Sequence, residues 1–423
     1  MANDNKYIPA LRFPEFQNDG EWGIASVGIY YKVQGGFAFK SGDFKDSGIP
    51  IVRISNIPND GNYVDTNNCV YYDRIPNEKS FLIAKGDLLI AMSGATTGKT
   101  AVYNKDNEAY LNQRVGLFKS TNSQNYYPFI CQWVKTELFQ NQLKRTLAAG
   151  AQPNISSKDI ESFTLIYPTS DNSSNEQKKI ADCLSSLDSY IDATKRKLEQ
   201  LKEHKKGLMQ LLFPAKGKTT PELRFPEFKN EGEWQAMSLG EITFVVNRRN
   251  KSNRSLPIYS INNADGFVPQ SQQFAGMDGE ARGYDISAYK IIGKHTFAYN
   301  PARINVGSIG YSGELKDILI SSLYVCFKTM DNVDDDFLMC FFNSYVFNQA
   351  VESNVEGGIR SYLFYENFSR IKMAIPSLYE QKRIASCIAS VEKMIKKTDE
   401  KISLLEMHKK GLQQQLFPKI NKL

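Results

Sequence analysis

The sequence predicts an α+β protein in which two globular domains are separated by two long antiparallel coiled-coil helices in a pseudo-twofold arrangement. Three observations predict it. A whole unit occurs twice in the 423 residues, each copy closes on a heptad seam, and the segments between the repeated borders mix short β-rich runs with helix. The expected boundaries are 1–172 for the first domain, 173–214 for the first coiled-coil helix, 215–376 for the second domain, 377–418 for the second helix and 419–423 for a tail. A chain of this length is too long for a single core.

The repeat comes first, because it determines the architecture. Leu11-Arg12-Phe13-Pro14-Glu15-Phe16 returns 212 residues later as Leu223-Arg224-Phe225-Pro226-Glu227-Phe228, and Glu21-Trp22 returns as Glu233-Trp234. A second block starts at Glu176-Gln177-Lys178-Lys179-Ile180-Ala181 and returns 204 residues later as Glu380-Gln381-Lys382-Arg383-Ile384-Ala385. Over 176–214 and 380–418, 20 of 39 positions are identical, which chance does not give. The inserts between these borders, about 20–170 and 232–375, do not align. Divergent inserts in a fixed frame suggest two different ligands read by one geometry.

The repeated block is helical. Ile180, Leu184, Leu187, Ile191, Thr194, Leu198, Leu201, Lys205, Leu208 and Leu212 follow a 4,3 spacing throughout, the a/d pattern of a coiled coil. Ile384, Ile388, Val391, Ile395, Thr398, Ile402, Leu405, Lys409, Leu412 and Leu416 repeat it, with the polar Thr and Lys in step. Polar residues in a seam cost stability but can fix register. Ser173 with Glu176, and Ser377 with Glu380, fit capping boxes, while Pro214 and Pro418 stop the helices. Each seam spans roughly 48 Å at 1.5 Å per residue. Gly207 and Gly411 sit inside the helices, where glycine costs about 1 kcal/mol relative to alanine. They are either tolerated near a helix end or mark close approach of another helix or partner. His204 and His408 lie on helix faces, solvated or partner-facing. Two matching helices in one chain can satisfy each other, and the simplest path pairs them antiparallel.

Both inserts read as α+β. The first has β-rich runs at 49–54, 87–92 and 114–118, then helix near 126–147. The second has runs at 291–292, 295–299 and 323–327, then helix near 334–353. One loop, 94–100, imitates a phosphate loop, but Ser93 stands where G-x-x-x-x-G-K-[ST] needs its first glycine, and Ala101-Val102-Tyr103 reads as strand rather than helix. A polar ligand-facing loop or a plain hairpin turn fits better, and the loop offers Ser93, Thr96, Thr97 and Lys99. Neither H-E-x-x-H nor G-x-S-x-G occurs, and His295, in an aromatic run, reads as packed rather than catalytic.

The loops carry basic and amide side chains of the kind that hydrogen-bond guanine and adenine edges. In the first insert these are Lys40, Arg53, Lys99, Gln113, Arg114, Gln152 and Asn154. In the second they are Arg248, Arg249, Lys251, Arg254, Asn262, Asn263, Asn300, Arg303, Asn305, Arg360 and Tyr362. Net charge is +6, but it is uneven. Residues 176–218 hold ten Lys/Arg against six Asp/Glu and residues 380–423 ten against five, so the helices carry +9 and the remainder −3. Charge alone therefore does not identify a nucleic-acid binder. Six scattered cysteines without a C-x-x-C pair, three histidines, no long apolar run and a polar N-terminus point to a reduced, cytoplasmic protein without structural zinc.

The E-Q-x-x-I-A start and L-x-Q-x-L-F-P end of each helix, with the R-F-P-E-F lead-in, resemble the specificity subunits of type I restriction–modification enzymes. The resemblance extends to Lys85-Gly86-Asp87-Leu88-Leu89-Ile90 with 93–99, to Gln152-Pro153-Asn154-Ile155-Ser156, and to 300–310 in the second insert. It covers nearly the whole chain. It implies two target-recognition domains, each reading one half of a bipartite site on double-stranded DNA, and helices that set the gap. It also implies two methyltransferase subunits docked on helices and domains, with His204, Gly207, His408 and Gly411 as candidate partner contacts. The complex would use S-adenosylmethionine for adenine N6 chemistry, with two restriction subunits using ATP and Mg as an optional addition. The chain itself is expected to be non-catalytic. The competing expectation is a coiled-coil scaffold that binds proteins through its two domains; ATP chemistry at 94–100 is a remote third.

Overall fold

The computed structural model describes residues 7–59, 62–76, 78–148, 153–263, 266–273, 283, 285–354 and 362–419. It divides into two compact units, Met1–Arg196 with Glu400–Leu423, and Lys197–Asp399. Each unit is therefore one globular insert together with part of both long helices.

In the first unit, Gly23–Ser26 pairs antiparallel with Thr164–Tyr167 and joins the two ends of the insert. A four-stranded sheet follows in the order Tyr31–Gly35, Val115–Ser120, Leu88–Ala91, Thr100–Val102, all antiparallel. A second sheet has the order Val70–Tyr72, Ile49–Val52, Ala109–Leu111, Leu82–Ile83, with a parallel pair at its centre. Leu88–Ala91 explains the layering. Successive side chains face opposite sides of a strand. Leu88 and Ile90 pack with Phe129 and Trp133 of the helix Tyr127–Trp133, while Leu89 and Ala91 pack with Ile51 and Tyr110 of the other sheet. A strand covered on both faces needs an unbroken apolar run, and all four residues are buried.

The second unit repeats this topology. Gln235–Ser238 pairs with Lys372–Ile375. One sheet runs Thr243–Val245, Val325–Thr329, Phe297–Tyr299, Ile309–Tyr311, and the other runs Gly266–Pro269, Ile258–Asn262, Ile318–Ile320, Lys290–Ile292, again with a central parallel pair. Phe297 and Tyr299 face the helical core and Ala298 the second sheet. Two inserts that do not align in sequence thus share one strand order. Burial pattern and chain path specify such a fold, and many apolar combinations fill the same core.

The predicted strands are present, with His295 displaced into a turn at φ 55° just before Phe297–Tyr299. Each single helix expected near 126–147 and 334–353 is instead two: Tyr127–Trp133 with Glu137–Ala148, and Asp335–Phe342 with Tyr345–Asn354. A hydroxyl restarts each one, Thr136 Oγ1 accepting from Phe139 N–H at 3.4 Å and Ser344 Oγ from Phe347 N–H at 3.2 Å.

The long helices are Ser173–Leu212 and Leu378–Leu416. None of their predicted seam residues is exposed. Within the first unit the two helices run antiparallel, since Asp188 contacts Lys409 and, further along, Lys195 contacts Glu406 at 2.6 Å. Within the second, Lys205 meets Glu392 at 2.7 Å. The seam lysines, Lys205 and Lys409, are thus each answered by an acid on the facing helix. The helix starts differ from the capping boxes expected. Ser173 is already helical and donates to Pro168 O at 2.6 Å. Glu176 and Glu380 turn away to bind Arg12 and Arg224, leaving only Ser377 in a capping role.

Candidate nucleic-acid interface

Five chain segments of the first unit meet at one loop cluster. The hairpin between Leu88–Ala91 and Thr100–Val102 supplies 92–99. Gly94 and Gly98 both have φ +81°, and a Cβ on Gly98 would lie 2.4 Å from Leu143 Cδ2, so that turn tolerates nothing larger. Thr96 Oγ1 donates to Ile54 O at 3.1 Å, which ties the hairpin to the turn after Arg53. Thr97 Oγ1 lies 2.6 Å from both Gly94 O and Pro153 O. Met92 N–H donates to Arg114 O, and Met92 O accepts from Ile155 N–H, each at 2.9 Å. Asn112 N–H reaches Val52 O at 3.0 Å and Gln113 N–H reaches Phe37 O at 2.9 Å.

This lacing gathers Lys40, Arg53, Ser93, Lys99, Gln113, Arg114 and Asn154, which the sequence scatters over more than a hundred positions. Lys40, Lys99, Gln113, Arg114 and Asn154 are exposed, while Arg53, Ser93, Thr96 and Thr97 are half-buried. Thr96 and Thr97 spend their hydroxyls on backbone carbonyls, so they brace the loop. Arg53 Nε and Ser93 Oγ are buried polar atoms with no hydrogen-bond partner among the described residues. Lys40, Lys99 and Arg114 face no acid within ion-pair distance among the described residues, whereas Lys32, Lys45, Arg74 and Lys85 in the same unit are paired with carboxylates. A near-neutral domain thereby keeps a local positive patch. The loop 94–100 is a β-hairpin turn, with no helix N-terminus to receive a phosphate.

The corresponding hairpin of the second unit joins Phe297–Tyr299 to Ile309–Tyr311 and carries Asn300, Arg303 and Asn305. Asn300 N–H donates to Ser308 O at 3.0 Å and Asn300 Oδ1 accepts from Ala302 N–H at 3.0 Å. Arg303 and Asn305 are exposed. Leu363 N–H donates to Pro301 O at 3.0 Å and brings Tyr362 against the loop. Asn262 pairs with Gly266, whose Cα would lie 3.3 Å from a Cβ built on Gly310, so Asn262 and the neighbouring Asn263 adjoin the same hairpin. Arg248 and Arg249 lie elsewhere. Arg249 bridges to Lys290 on the far edge of the sheet, two strands from Asn262, and Arg248 and Arg254 both face Asp317, at 3.8 and 3.1 Å. Lys251 is exposed next to them. Gln152 and Arg360 fall outside the described residues.

On the long helices, His204 and His408 are exposed. A methyl group built on Gly207 or Gly411 meets nothing within 4 Å, so no close packing within this chain requires either glycine. Gly207→Ala and Gly411→Ala should therefore each stabilise the isolated chain by about 0.5–1 kcal/mol, read as a higher urea midpoint. A loss of stability instead would show that the backbone there is constrained. Among the described residues, no group of three or more His, Cys, Asp or Glu could hold a metal ion, no helix is long and apolar enough to cross a membrane, and the six cysteines are free.

Residues 21–203 and 231–407 each match the type I restriction modification DNA specificity domain. The type I restriction enzyme MjaVIII specificity subunit of Methanocaldococcus jannaschii is 24% identical over 200 residues; that alignment spans 46% of this chain and 46% of the relative, about half of each. The MjaX specificity subunit of the same archaeon is 24% identical over 394 residues, 88% of this chain and 87% of the relative. The crystal structure of a type I restriction–modification S subunit from M. genitalium superposes with a TM-score of 0.61 at 16% identity, covering 98% of this chain and all of that one, which shows the shared fold. With two copies of the domain filling most of its length, the chain belongs to the type I restriction modification DNA specificity family, which sets aside the reading as a bare coiled-coil scaffold.

Proposed function

We propose that each unit reads one half of an asymmetric, bipartite DNA site through its hairpin loop cluster, and that the long helices fix the number of unread base pairs between the halves. The observation that carries this reading is positional. The same hairpin loop cluster in both units presents basic and amide side chains, yet on different positions: Lys99 on the hairpin with Arg114 and Asn154 on the segments beside it in one, and Asn300, Arg303 and Asn305 on the hairpin itself in the other. One frame with two unlike reading edges suits two unlike half-sites. Phosphate contacts position a protein on the duplex and base-edge contacts specify sequence.

On this reading the chain works in a cytoplasmic assembly with two methyltransferase subunits, which dock on the helices near His204, Gly207, His408 and Gly411 and bind S-adenosylmethionine themselves. Two restriction subunits using ATP and Mg join where the system also cleaves. The test is methylation sequencing of DNA from a strain with an active methyltransferase partner. A gapped motif carrying N6-methyladenine should vanish when this chain is deleted. Lys99→Ala should either change a letter in one half only, as a base contact would, or weaken DNA binding uniformly and reduce its salt slope by about one, as a phosphate contact would. An unchanged methylome after deletion defeats the proposal.

A further inference from the structure

The shared topology allows the two reading edges to be compared position by position. In each unit, one buried residue hydrogen-bonds the hairpin loop just before a short helix. In the first it is Ile155, 3% exposed, with its N–H on Met92 O and Ser156 capping Ser157–Ser162. In the second it is Leu363, 0% exposed, with its N–H on Pro301 O and Phe364 at the N-cap of Tyr365–Arg370. A buried residue in extended backbone sends its two neighbours to the opposite side. Those neighbours are Asn154 and Ser156 in the first unit and Tyr362 and Phe364 in the second.

The chemistry at this position therefore inverts. Asn154 offers an amide of the kind that bonds adenine N6 and N7. Tyr362 and Phe364 offer rings that are parallel to within 4°, with centroids 5.7 Å apart, and Phe364 is 53% exposed. Val306, on the same loop as Arg303 and Asn305, is 52% exposed. No contact among the described residues accounts for leaving the Phe364 ring exposed beside the half-buried Tyr362, and an exposed phenylalanine would gain from further cover. The exposed Arg303, on the hairpin loop that Leu363 hydrogen-bonds, suits a polyanion rather than an apolar protein partner.

We infer that Tyr362 and Phe364 form an apolar reading edge that recognises the C5-methyl group of a thymine in the half-site of the second unit. The inference rests on the DNA-reading role proposed above. An aromatic face against that methyl distinguishes thymine from cytosine without a hydrogen bond.

Deoxyuridine tests this, because it removes only the methyl group. Duplexes bound by the full chain are selected from a random library, and each thymine of the recovered motif is then replaced singly by deoxyuridine. At least one replacement should weaken binding by about fourfold, the value of one buried methyl group, and the same replacement should leave a Tyr362→Ala/Phe364→Ala variant unaffected. The unmodified chain carries the scan by itself, so the result does not depend on how the variant folds. A motif without a methyl-sensitive thymine, or a variant that keeps the sensitivity, overturns the inference. So does a variant that loses all binding equally, as a base-step wedge would. Failure of the full chain to select any DNA overturns the DNA-reading role as well, which separates the two.

Discussion

Glu176→Gln should lower the stability of the first unit by about 3 kcal/mol. The Arg12 guanidinium grips this carboxylate with two bonds, Nε to Oε1 at 2.7 Å and NH2 to Oε2 at 2.8 Å, and Trp22 Nε1 donates to Oε1 at 3.3 Å. The glutamate side chain is 0% exposed and the arginine 6%. The glutamine keeps the shape and one acceptor oxygen, but it removes the charge and sets an NH2 donor against an Arg12 N–H, which leaves a desolvated guanidinium without a counter-charge and with Gly20 O, at 2.6 Å, as its other acceptor. In the wild type the carboxylate holds the arginine above its ordinary pKa, through the direct hydrogen bond first, with burial opposing; in the variant the guanidinium still does not escape by losing its proton, because arginine stays charged throughout the accessible pH range.

Removing one partner of a buried pair costs far more than replacing both with apolar residues. An Arg12→Met/Glu176→Leu double variant should therefore recover much of the loss, and the cycle measures the coupling. Glu380→Gln should do to the second unit what Glu176→Gln does to the first, because Arg224 holds Glu380 in the same way at 2.8 Å twice, with exposures of 10% and 1%. Urea unfolding followed by tryptophan fluorescence reads both, since Trp22 and Trp234 lie in the respective cores. A midpoint shift equivalent to less than about 0.5 kcal/mol would place these pairs among ion pairs that contribute little.

These clamps show what the sequence made legible and what it hid. Both members of each pair were visible as repeated letters, Arg12 with Arg224 and Glu176 with Glu380. The link between them was not, because they lie 164 and 156 residues apart and a local rule, the capping box, also explained the glutamate. The heptad seam was readable throughout because helical period and burial coincide there. The common topology of the inserts was not readable, because strand order leaves no periodic trace, and the Tyr362–Phe364 edge becomes visible only once Leu363 is matched to Ile155. The loop residues were recognised by type, but type alone did not separate Arg303, at the hairpin, from Arg248, which faces Asp317 on another sheet edge.

Asp188→Asn should cost about 3 kcal/mol near neutral pH, whereas Glu392→Gln at the equivalent place on the other helix should cost less than about 1 kcal/mol. The seam lysines of the two copies match, but their surroundings do not. Lys205 and Glu392 are 28% and 50% exposed, so water already screens them. Asp188 is 9% exposed and serves two ammonium groups, Lys409 and Lys135, the latter at 3.0 Å, while Gln132 donates to it at 3.0 Å. Burial pushes the Asp188 carboxyl up, but the two lysines and the hydrogen bonds more than offset this and hold it below the usual aspartate range. Burial, then the charge of Lys135, presses Lys409 below its ordinary value despite Asp188. Without the carboxylate, two desolvated cations face each other. A group whose pKa falls on folding stabilises the fold above its unfolded value and loses that contribution as pH drops through its folded value. The difference between the wild type and Asp188→Asn should thus stay level from about pH 5 to 8 and shrink below about pH 4 as the wild type loses its carboxylate. Lys409→Met removes the surplus cation and keeps seam volume, so it should change stability by less than about 1.5 kcal/mol. Equal losses for Asp188→Asn and Glu392→Gln, or a difference that does not narrow in acid, would show that the buried triad is not what distinguishes the two copies of the seam.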